Sequence, residues 1–177
     1  ITPGYMDFSF TPPQARLKES VARFAEAELN GDLARREKEQ AFNRAGWRRC
    51  AEMGIQGLPV PARHGGKEAD PVTTLAALEG LGYGCRDNGL CFSINAHLWG
   101  CSHPIVVFGS ERQKERFLRR LCVGESIGAL AISEHEAGSD AYNLKTTAER
   151  RGDHFLLNGR KLFVTNGPIA DLVLVFA

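Results

Sequence analysis

The feature that most constrains the fold of this 177-residue chain is a change, near residue 125, in the spacing of its apolar side chains. Up to that point apolar residues recur at helical intervals, as Leu17, Val21 and Phe24 do, which is typical of amphipathic helices. Beyond it, short apolar runs alternate with polar turn residues, which is typical of strands. The sequence therefore predicts an α+β chain, with an N-terminal all-α helical domain at residues 1–125 and strands of a second, partial β domain at residues 126–177.

Start signals divide the first part into separate helices. Pro12 and Pro71 each lie where proline is tolerated, in a first helical turn. Ser110 begins a capping box ahead of another helix. The stretch 89–108 is apolar nearly all round, which predicts a buried helix. We expect it to bend or break near Pro104, because proline removes a backbone donor and clashes with the preceding turn.

The second part carries strand and turn signals. Apolar runs predict strands at 127–132 and 172–177. The pair Asn158-Gly159 predicts a type I′ hairpin turn, because both residues tolerate the positive φ that this turn requires. Phe163 and Thr165, as alternate residues of the strand after that turn, would then share one face. The other predicted strands are 146–151 and 154–157.

The last apolar run, LVLVFA, is expected to need neighbours on both faces. An uncovered strand of this kind is prone to aggregate. We therefore expect residues 1–177 to be part of a longer protein and to be poorly soluble alone.

Composition and charge argue against several functional classes. The chain has 22 Lys+Arg against 21 Asp+Glu, so it lacks the basic surplus of a nucleic-acid-binding protein. No apolar run approaches the roughly 20 residues that span a bilayer, so no membrane span is expected. The five cysteines are odd in number and lack zinc-type spacing, which favours reduced thiols, no metal site and a cytoplasmic location, or the mitochondrial matrix in a eukaryote.

One candidate binding segment is ALAISEHEAGSD, residues 129–140. An apolar strand leads here into a polar loop that contains Ser133, Gly138 and Ser139. The hydroxyls and backbone amides of such a loop could bind an anion or a planar heterocycle. The residues are explained equally by a strand end that turns a corner, so both interpretations stay open at this point.

A second candidate segment is LNGRKLFVTNG, residues 157–167. The Phe163 ring and the Thr165 hydroxyl, if they share a face, could contact a flat ring system. A β-domain interior with a satisfied threonine explains the same pattern.

Taken together, these segments resemble the N-terminal part of the acyl-CoA dehydrogenase family of flavoproteins. The resemblance rests on LAISEHEAGSD, NGRKLFVTN, the loop PARHGG and the run HPIVVFGSERQKERFLRRLCVGE, in this order and spacing. It implies a helical domain, a β-barrel-like middle domain of which only the first strands are present, and a C-terminal four-helix bundle that is absent from residues 1–177.

The resemblance also implies a site for FAD between the middle domain and that bundle. Thr165 would place its hydroxyl near flavin N5, and Phe163 would pack on the ring where the family usually has Trp. Ser139 would touch both the cofactor and the acyl substrate. The implied cofactor-binding residues are Leu130, Ala131, Ile132, Ser133, Gly138, Ser139, Phe163, Val164 and Thr165.

The chain departs from the family pattern at three positions of these segments. Ser133 stands where the family usually has Thr, and it keeps a hydroxyl but loses a stiffening methyl group. His135 stands in place of Pro, which frees the loop and adds a titratable ring. Phe163 in place of Trp loses an indole N–H.

The activity implied by the resemblance is α,β-dehydrogenation of an acyl thioester to the trans-2-enoyl product, with electrons passed to an electron-transfer flavoprotein. The implied partners are an acyl-CoA or acyl-carrier substrate and further copies of the chain, as a dimer or tetramer. No catalytic residue is assigned within the chain. The general base is expected beyond residue 177, and Glu134, Glu136 and Asp140 are interpreted as structural or solvated.

Three alternatives remain beside the acyl-CoA dehydrogenase interpretation. One is a dehydrogenase that acts on acyl groups bound to a carrier protein, and another is a flavin oxidase. The third is a non-catalytic acyl-binding or partner-binding module of the same fold. Bound flavin in the purified protein would separate the enzymes from the module.

Overall fold

The computed structural model describes residues 8–177, in which helices come first and strands follow. This order confirms the predicted α+β class, whereas the domain division between residues 125 and 126 stays a prediction. The helices are α1 Pro12–Glu28, α2 Leu33–Glu39, α3 Arg44–Glu52, α4 Pro71–Gly84, α5 Asn88–His97, α6 His103–Phe108 and α7 Glu111–Cys122. The strands are β1 Gly128–Ala131, β2 Thr147–Arg151, β3 His154–Asn158 and β4 Leu172–Val175.

The helix starts follow the capping signals in the sequence. Asp70 precedes α4, and its carboxylate accepts a hydrogen bond from the Thr73 amide at 3.0 Å. At α7 the Ser110 hydroxyl accepts from the Gln113 amide at 3.4 Å, and the Gln113 side chain accepts from the Ser110 amide at 2.8 Å. These bonds satisfy amide groups that have no partner within a helix.

The interruption predicted near Pro104 is a π-helical turn, Leu98–Ser102, that joins α5 directly to α6. Pro104 is the second residue of α6 and comes directly after this turn and His103. A π turn has wider hydrogen-bond spacing than an α-helix. The chain therefore continues through this region as one helical path rather than ending at the proline. The predicted burial holds only in part, because Phe92 is 64% and Phe108 85% exposed.

The main core lies among α1, α3, α4 and α5, and it extends into the strand region. Trp47, Leu81 and Ile94 are at most 2% exposed. Ile127, the residue before β1, is 1% exposed and belongs to the same apolar cluster. Burial of Ile127 thus attaches the first strand to the helical domain.

The strands form two separate pairs. β1 and β4 are parallel, with Gly128 opposite Leu172 and Ala131 opposite Val175. β2 and β3 are antiparallel, and Arg151 pairs with His154 across a turn formed by Gly152 and Asp153.

The hairpin prediction at Asn158-Gly159 is therefore wrong. Gly152 supplies the positive φ, 64°, that the actual turn requires. Asn158 instead ends β3. Gly159 is needed for another reason, because a Cβ at this position would lie 2.2 Å from the Thr146 hydroxyl oxygen.

No helix within residues 8–177 combines the length and the apolar character needed to cross a bilayer. All five cysteines lie within this range and are free thiols.

The close crossing of α1 and α4 gives a test of the helical packing. A Cβ at Gly80 would lie 2.3 Å from the Lys18 carbonyl oxygen, whereas a Cβ at Gly82, on the same helix, meets nothing within 4 Å. Gly80→Ala should lower the free energy of unfolding by about 1–3 kcal/mol through overpacking. Gly82→Ala is the matched control and should raise it by about 0.5–1 kcal/mol. Denaturant titration measures both, and equal effects would contradict this helix crossing.

Candidate functional site

The structure brings the two candidate segments into direct contact. The Leu162 amide donates to the Ser133 carbonyl oxygen at 2.9 Å. The Lys161 ammonium donates to the Ile132 carbonyl oxygen, also at 2.9 Å. The loop after β1 and the segment after β3 therefore lie side by side, as a shared ligand site would require.

A buried ion pair fixes the geometry of this junction. Lys161 Nζ and Glu134 Oε1 are 2.8 Å apart, and the two side chains are only 10% and 7% exposed. The same carboxylate accepts hydrogen bonds from the Lys145 amide at 2.6 Å, from the Thr146 amide at 3.0 Å and from the Thr146 hydroxyl. Glu134 thus closes the loop between residues 134 and 146.

These contacts determine the protonation state of Glu134. The Lys161 ammonium, together with the Thr146 and Lys145 donors, lowers the pKa of this carboxyl from 4.5 to about 2. A carboxylate held as an anion in this way is a poor proton acceptor at neutral pH. The geometry therefore supports the structural interpretation of Glu134.

Three predicted site residues carry hydroxyls without a protein partner. Ser133, Ser139 and Thr165 form no hydrogen bond through their side chains within residues 8–177. Ser133 and Thr165 are half-buried, whereas Ser139 is exposed. Half-buried hydroxyls that remain unpaired are available to a ligand.

Phe163 has an unusual environment and conformation. Its side chain is 94% exposed, and its φ is 54°, a left-handed value that is costly for a residue with a Cβ. Asn166 is also left-handed, with φ 66°. An exposed aromatic ring, in a segment that also carries the unpaired Thr165 hydroxyl, is suited to packing against a flat ring system.

The predicted strand through Phe163 and Thr165 is wrong. No strand crosses residues 159–166, and the left-handed residues Phe163 and Asn166 break the alternation of side chains. The inference that Phe163 and Thr165 share a face of one strand therefore fails, although both residues stay next to the β1 loop through Leu162.

The remaining predicted site residues occupy different environments. Ala131 is 4% exposed, and Leu130 is half-buried beside the π turn, where a Cβ on Gly100 would lie 3.1 Å from the Leu130 Cβ. Ile132 and Val164 are half-buried, and Gly138 is exposed. No hydrogen bond joins Gly138 or Ser139 to the Phe163–Thr165 segment in the part of the chain described.

A separate apolar groove of about 320 Å³ lies between α6, α7 and β4. Pro104, Phe117 and Phe176 are among the residues that line it, and none of the predicted site residues does. The groove is therefore separate from the junction of the two candidate segments.

The structure assigns contacts to three residues whose roles sequence reasoning missed. Lys161 lies inside the recognised segment, but nothing local signals its pairing with Glu134. Asn166 carries one usable signal, because asparagine tolerates positive φ better than most residues. His97 lies in the apolar stretch 89–108, and its ring accepts a hydrogen bond from the backbone of β1.

The sequence profile of the N-terminal domain of acyl-CoA dehydrogenases matches residues 11–125, and that of the middle domain matches residues 129–177. The chain belongs to the acyl-CoA dehydrogenase family. This agrees with the resemblance seen in the sequence and with the helical and β parts of the structure.

Individual relatives are similar over nearly the whole chain. The L-prolyl-[peptidyl-carrier protein] dehydrogenase of Serratia sp. (strain ATCC 39006) is 39% identical over 97% of this chain, which spans 45% of that protein. The crystal structure of the prolyl acyl carrier protein oxidase AnaB is 50% identical, with a TM-score of 0.90, over 96% of this chain and 45% of that one. The FAD complex of PigA is 39% identical, with a TM-score of 0.90, over 96% of this chain and 44% of that one. The chain thus spans less than half the length of these relatives.

The Glu134 contacts predict a specific pH dependence of stability. The pKa of Glu134 lies below its unfolded value of 4.5, so its stabilising contribution is complete above about pH 4.5 and is lost as the pH falls through about 2. Glu134→Gln should therefore be less stable than the parent at pH 7, and the difference should narrow as the pH falls below 4.5. Denaturant unfolding from pH 7 down to the lowest pH at which the protein stays folded measures it.

The matched control is Glu136→Gln, two residues away. Glu136 is exposed and forms no ion pair or side-chain hydrogen bond within residues 8–177, so its substitution should leave stability unchanged. A difference between Glu134→Gln and the parent that does not vary with pH would contradict the assigned role of the carboxylate.

Proposed function

We propose that the protein to which this chain belongs is a flavin-dependent dehydrogenase of acyl groups bound as thioesters to a carrier protein, with a prolyl group as the acyl substrate. One observation carries this proposal. The 50% identical structure is that of a prolyl acyl carrier protein oxidase, and the 39% identical Serratia relative is named for the same substrate class. The similarity to both of these prolyl-specific relatives runs along almost the whole chain, and this supports a prolyl thioester as the substrate.

FAD is the proposed cofactor, and the residues at the junction fit it. Phe163 offers an exposed ring for packing, and the hydroxyls of Ser133 and Thr165 are free to hydrogen-bond with a heterocycle. The similarity to the FAD complex of PigA supports the same assignment. When bound, FAD supplies the acceptor for the hydride that leaves the β-carbon of the substrate.

The protein residues have separate proposed roles around that cofactor. Ser133, with the backbone near Ile132, would contact the pyrimidine side of the flavin, and Leu130 and Ala131 would line it. Phe163 and Val164 would pack against the ring, and Thr165 would hold the region of N5. Gly138 would allow the loop to approach the cofactor, and Ser139 would contact both flavin and substrate.

The α-proton needs a different acceptor. Glu134 is committed to Lys161 and Thr146, and its pKa is lowered to about 2. Glu136 and Asp140 are exposed, and no buried contact positions either carboxylate. We therefore propose that the general base lies outside residues 1–177.

The remaining assignments follow from the family resemblance. An electron-transfer flavoprotein is the proposed electron acceptor, and a dimer or tetramer is the proposed assembly. The free thiols fit a reducing compartment, either the cytoplasm or a mitochondrial matrix. The second candidate function is dehydrogenation of a CoA thioester, which the name of the family itself favours.

The substrate assignment is tested with the intact protein and three thioesters. Prolyl-loaded carrier protein, prolyl-CoA and butyryl-CoA are mixed anaerobically with the flavin-loaded protein, and bleaching of the flavin is followed by stopped flow. We expect bleaching with the loaded carrier at a rate at least about tenfold higher than with either CoA ester, a difference of about 1.4 kcal/mol in barrier. Faster bleaching by butyryl-CoA would favour the second candidate. A protein that binds no flavin would support the non-catalytic module.

Thr165 gives a test at a single residue. Its hydroxyl has no partner within residues 8–177, so Thr165→Ala should preserve the unfolding midpoint. Loss of one hydrogen bond to the cofactor, about 1–3 kcal/mol, should slow anaerobic flavin reduction by roughly 5- to 150-fold.

Thr147→Ala, on the exposed strand β2, is the matched control and should reduce its flavin at the parent rate. Bound flavin is quantified first in every sample. Equal reduction rates for Thr165→Ala and the parent would mean that this hydroxyl does not contact the flavin.

A further inference from the structure

Side chains from two different segments hold both backbone groups of Gly128, the first residue of β1. The Gly128 amide donates to His97 Nδ1 at 2.9 Å, and its carbonyl oxygen accepts from Asn166 Nδ2 at 3.1 Å. The same Asn166 amide nitrogen donates to the Ser93 carbonyl oxygen of α5 at 3.0 Å. We call this arrangement of His97, Gly128, Asn166 and Ser93 the Gly128 clamp.

The clamp is buried and leaves no room for a side chain at its centre. His97 is 0% exposed and Asn166 is 7% exposed. A Cβ on Gly128 would lie 2.6 Å from both the Cβ and the Sγ of Cys101. Only glycine therefore allows the strand to approach the helix closely enough for these hydrogen bonds.

The hydrogen-bond partners fix the chemical state of His97. Nδ1 accepts from an amide, so the ring proton must reside on Nε2, which lies 3.3 Å from the Ser102 hydroxyl. The Trp47 ring packs against the imidazole edge-on, with centroids 5.0 Å apart. Burial lowers the pKa of His97 to about 4, so the ring is neutral at physiological pH.

The orientation of the Asn166 amide is determined in the same way. Both of its close partners are carbonyl oxygens, so the nitrogen and not the oxygen must face them. The amide oxygen is buried and has no partner within residues 8–177. Asn166 therefore serves as a donor that bridges a helix and a strand.

We propose that His97 and Asn166 are positioning residues that set the spacing between the two flavin-contacting segments. The proposal rests on the proposed function. Gly128 lies two residues before Leu130, and Asn166 directly follows Thr165. The hydrogen bond between Asn166 and Gly128 thus links the segments on one side, and the Ser133–Leu162 hydrogen bond links them on the other.

The two links make the geometry of the site depend on α5. His97 and Ser93 both belong to α5, which lies in the helical core. Movement of β1 or of the 163–165 segment relative to that helix would break at least one buried hydrogen bond, which is costly in a site that excludes water. The helical domain therefore influences the geometry of the cofactor site through the hydrogen bonds that His97 and Ser93 make with Gly128 and Asn166.

Two substitutions at His97 separate this role from simple packing. Asn can present an acceptor at the position of Nδ1, whereas Gln can present one only at the position of Nε2. A packing role favours the larger Gln, and a positioning role favours Asn. We expect apo His97→Asn to bind FAD within about threefold of the parent, and His97→Gln to bind about tenfold more weakly.

Asn166→Gly provides an independent variant, because glycine accepts the left-handed backbone and removes both donated hydrogen bonds. We expect FAD binding about tenfold or more weaker and an altered visible circular dichroism of the bound flavin. Asn88→Gly is the matched control, since Asn88 begins the same helix α5 but is exposed. It should bind FAD as the parent does, even if it unfolds more easily.

The measurements use intact protein stripped of flavin and titrated with FAD, with thermal unfolding recorded in parallel. Equal FAD affinity and equal flavin spectra for the parent, His97→Gln and Asn166→Gly would overturn the proposal while leaving the proposed function intact. Stronger FAD binding by His97→Gln than by His97→Asn would assign His97 to packing and also overturn it. A parent protein that bound no FAD would refute the proposed function itself.

Discussion

The close approach of β1 to the helix that ends at His97 is the constraint on which the rest of the structure depends. Ile127 is buried in the helical core, and Gly128 contacts Cys101 and His97 without space for a side chain. The Asp171 carboxylate accepts from the Ile127 amide at 2.8 Å, which places β4 beside β1. The strands are therefore held to the helical domain at β1, and Asn166 and the apolar side chains of β4 add further contacts with the helices.

The polar loop after β1 is held in place by an ion pair and hydrogen bonds rather than by apolar packing. Glu134 and Lys161 neutralise each other in a buried position and use their remaining hydrogen-bonding capacity on backbone groups. Removal of one member of such a buried pair is costly, because the other charge is then left without its partner. Such a loop presents its free hydroxyls in a fixed geometry, as a cofactor site requires.

Local signals in the sequence predicted most of the helical part, because caps and prolines act within a few residues of themselves. The starts of α4 and α7 follow from Asp70 and Ser110 in this way. The hairpin was misplaced because both Gly152-Asp153 and Asn158-Gly159 have the composition of a turn. Only the lack of space around Gly159 shows that this glycine is needed for close packing. The pairing of Glu134 with Lys161, and of Gly128 with His97, joins residues far apart in sequence, and no periodicity reports such contacts. Motif resemblance located the candidate site, but it left out the residues that hold it in place.

The π turn Leu98–Ser102 changes the directions in which side chains point around the helix axis. Five residues along an ordinary α-helix, side chains point about 140° apart, because each residue turns the helix by about 100°. A π turn winds more slowly, with bonds from residue i to residue i+5, and so brings residues five apart toward one side. His97 and Ser102 are such a pair, and they meet at 3.3 Å. The extra residue in this turn thus brings the Ser102 hydroxyl onto the same side of the helix as the His97 imidazole. The side chains of α6 are rotated about the helix axis relative to where an uninterrupted α-helix would place them.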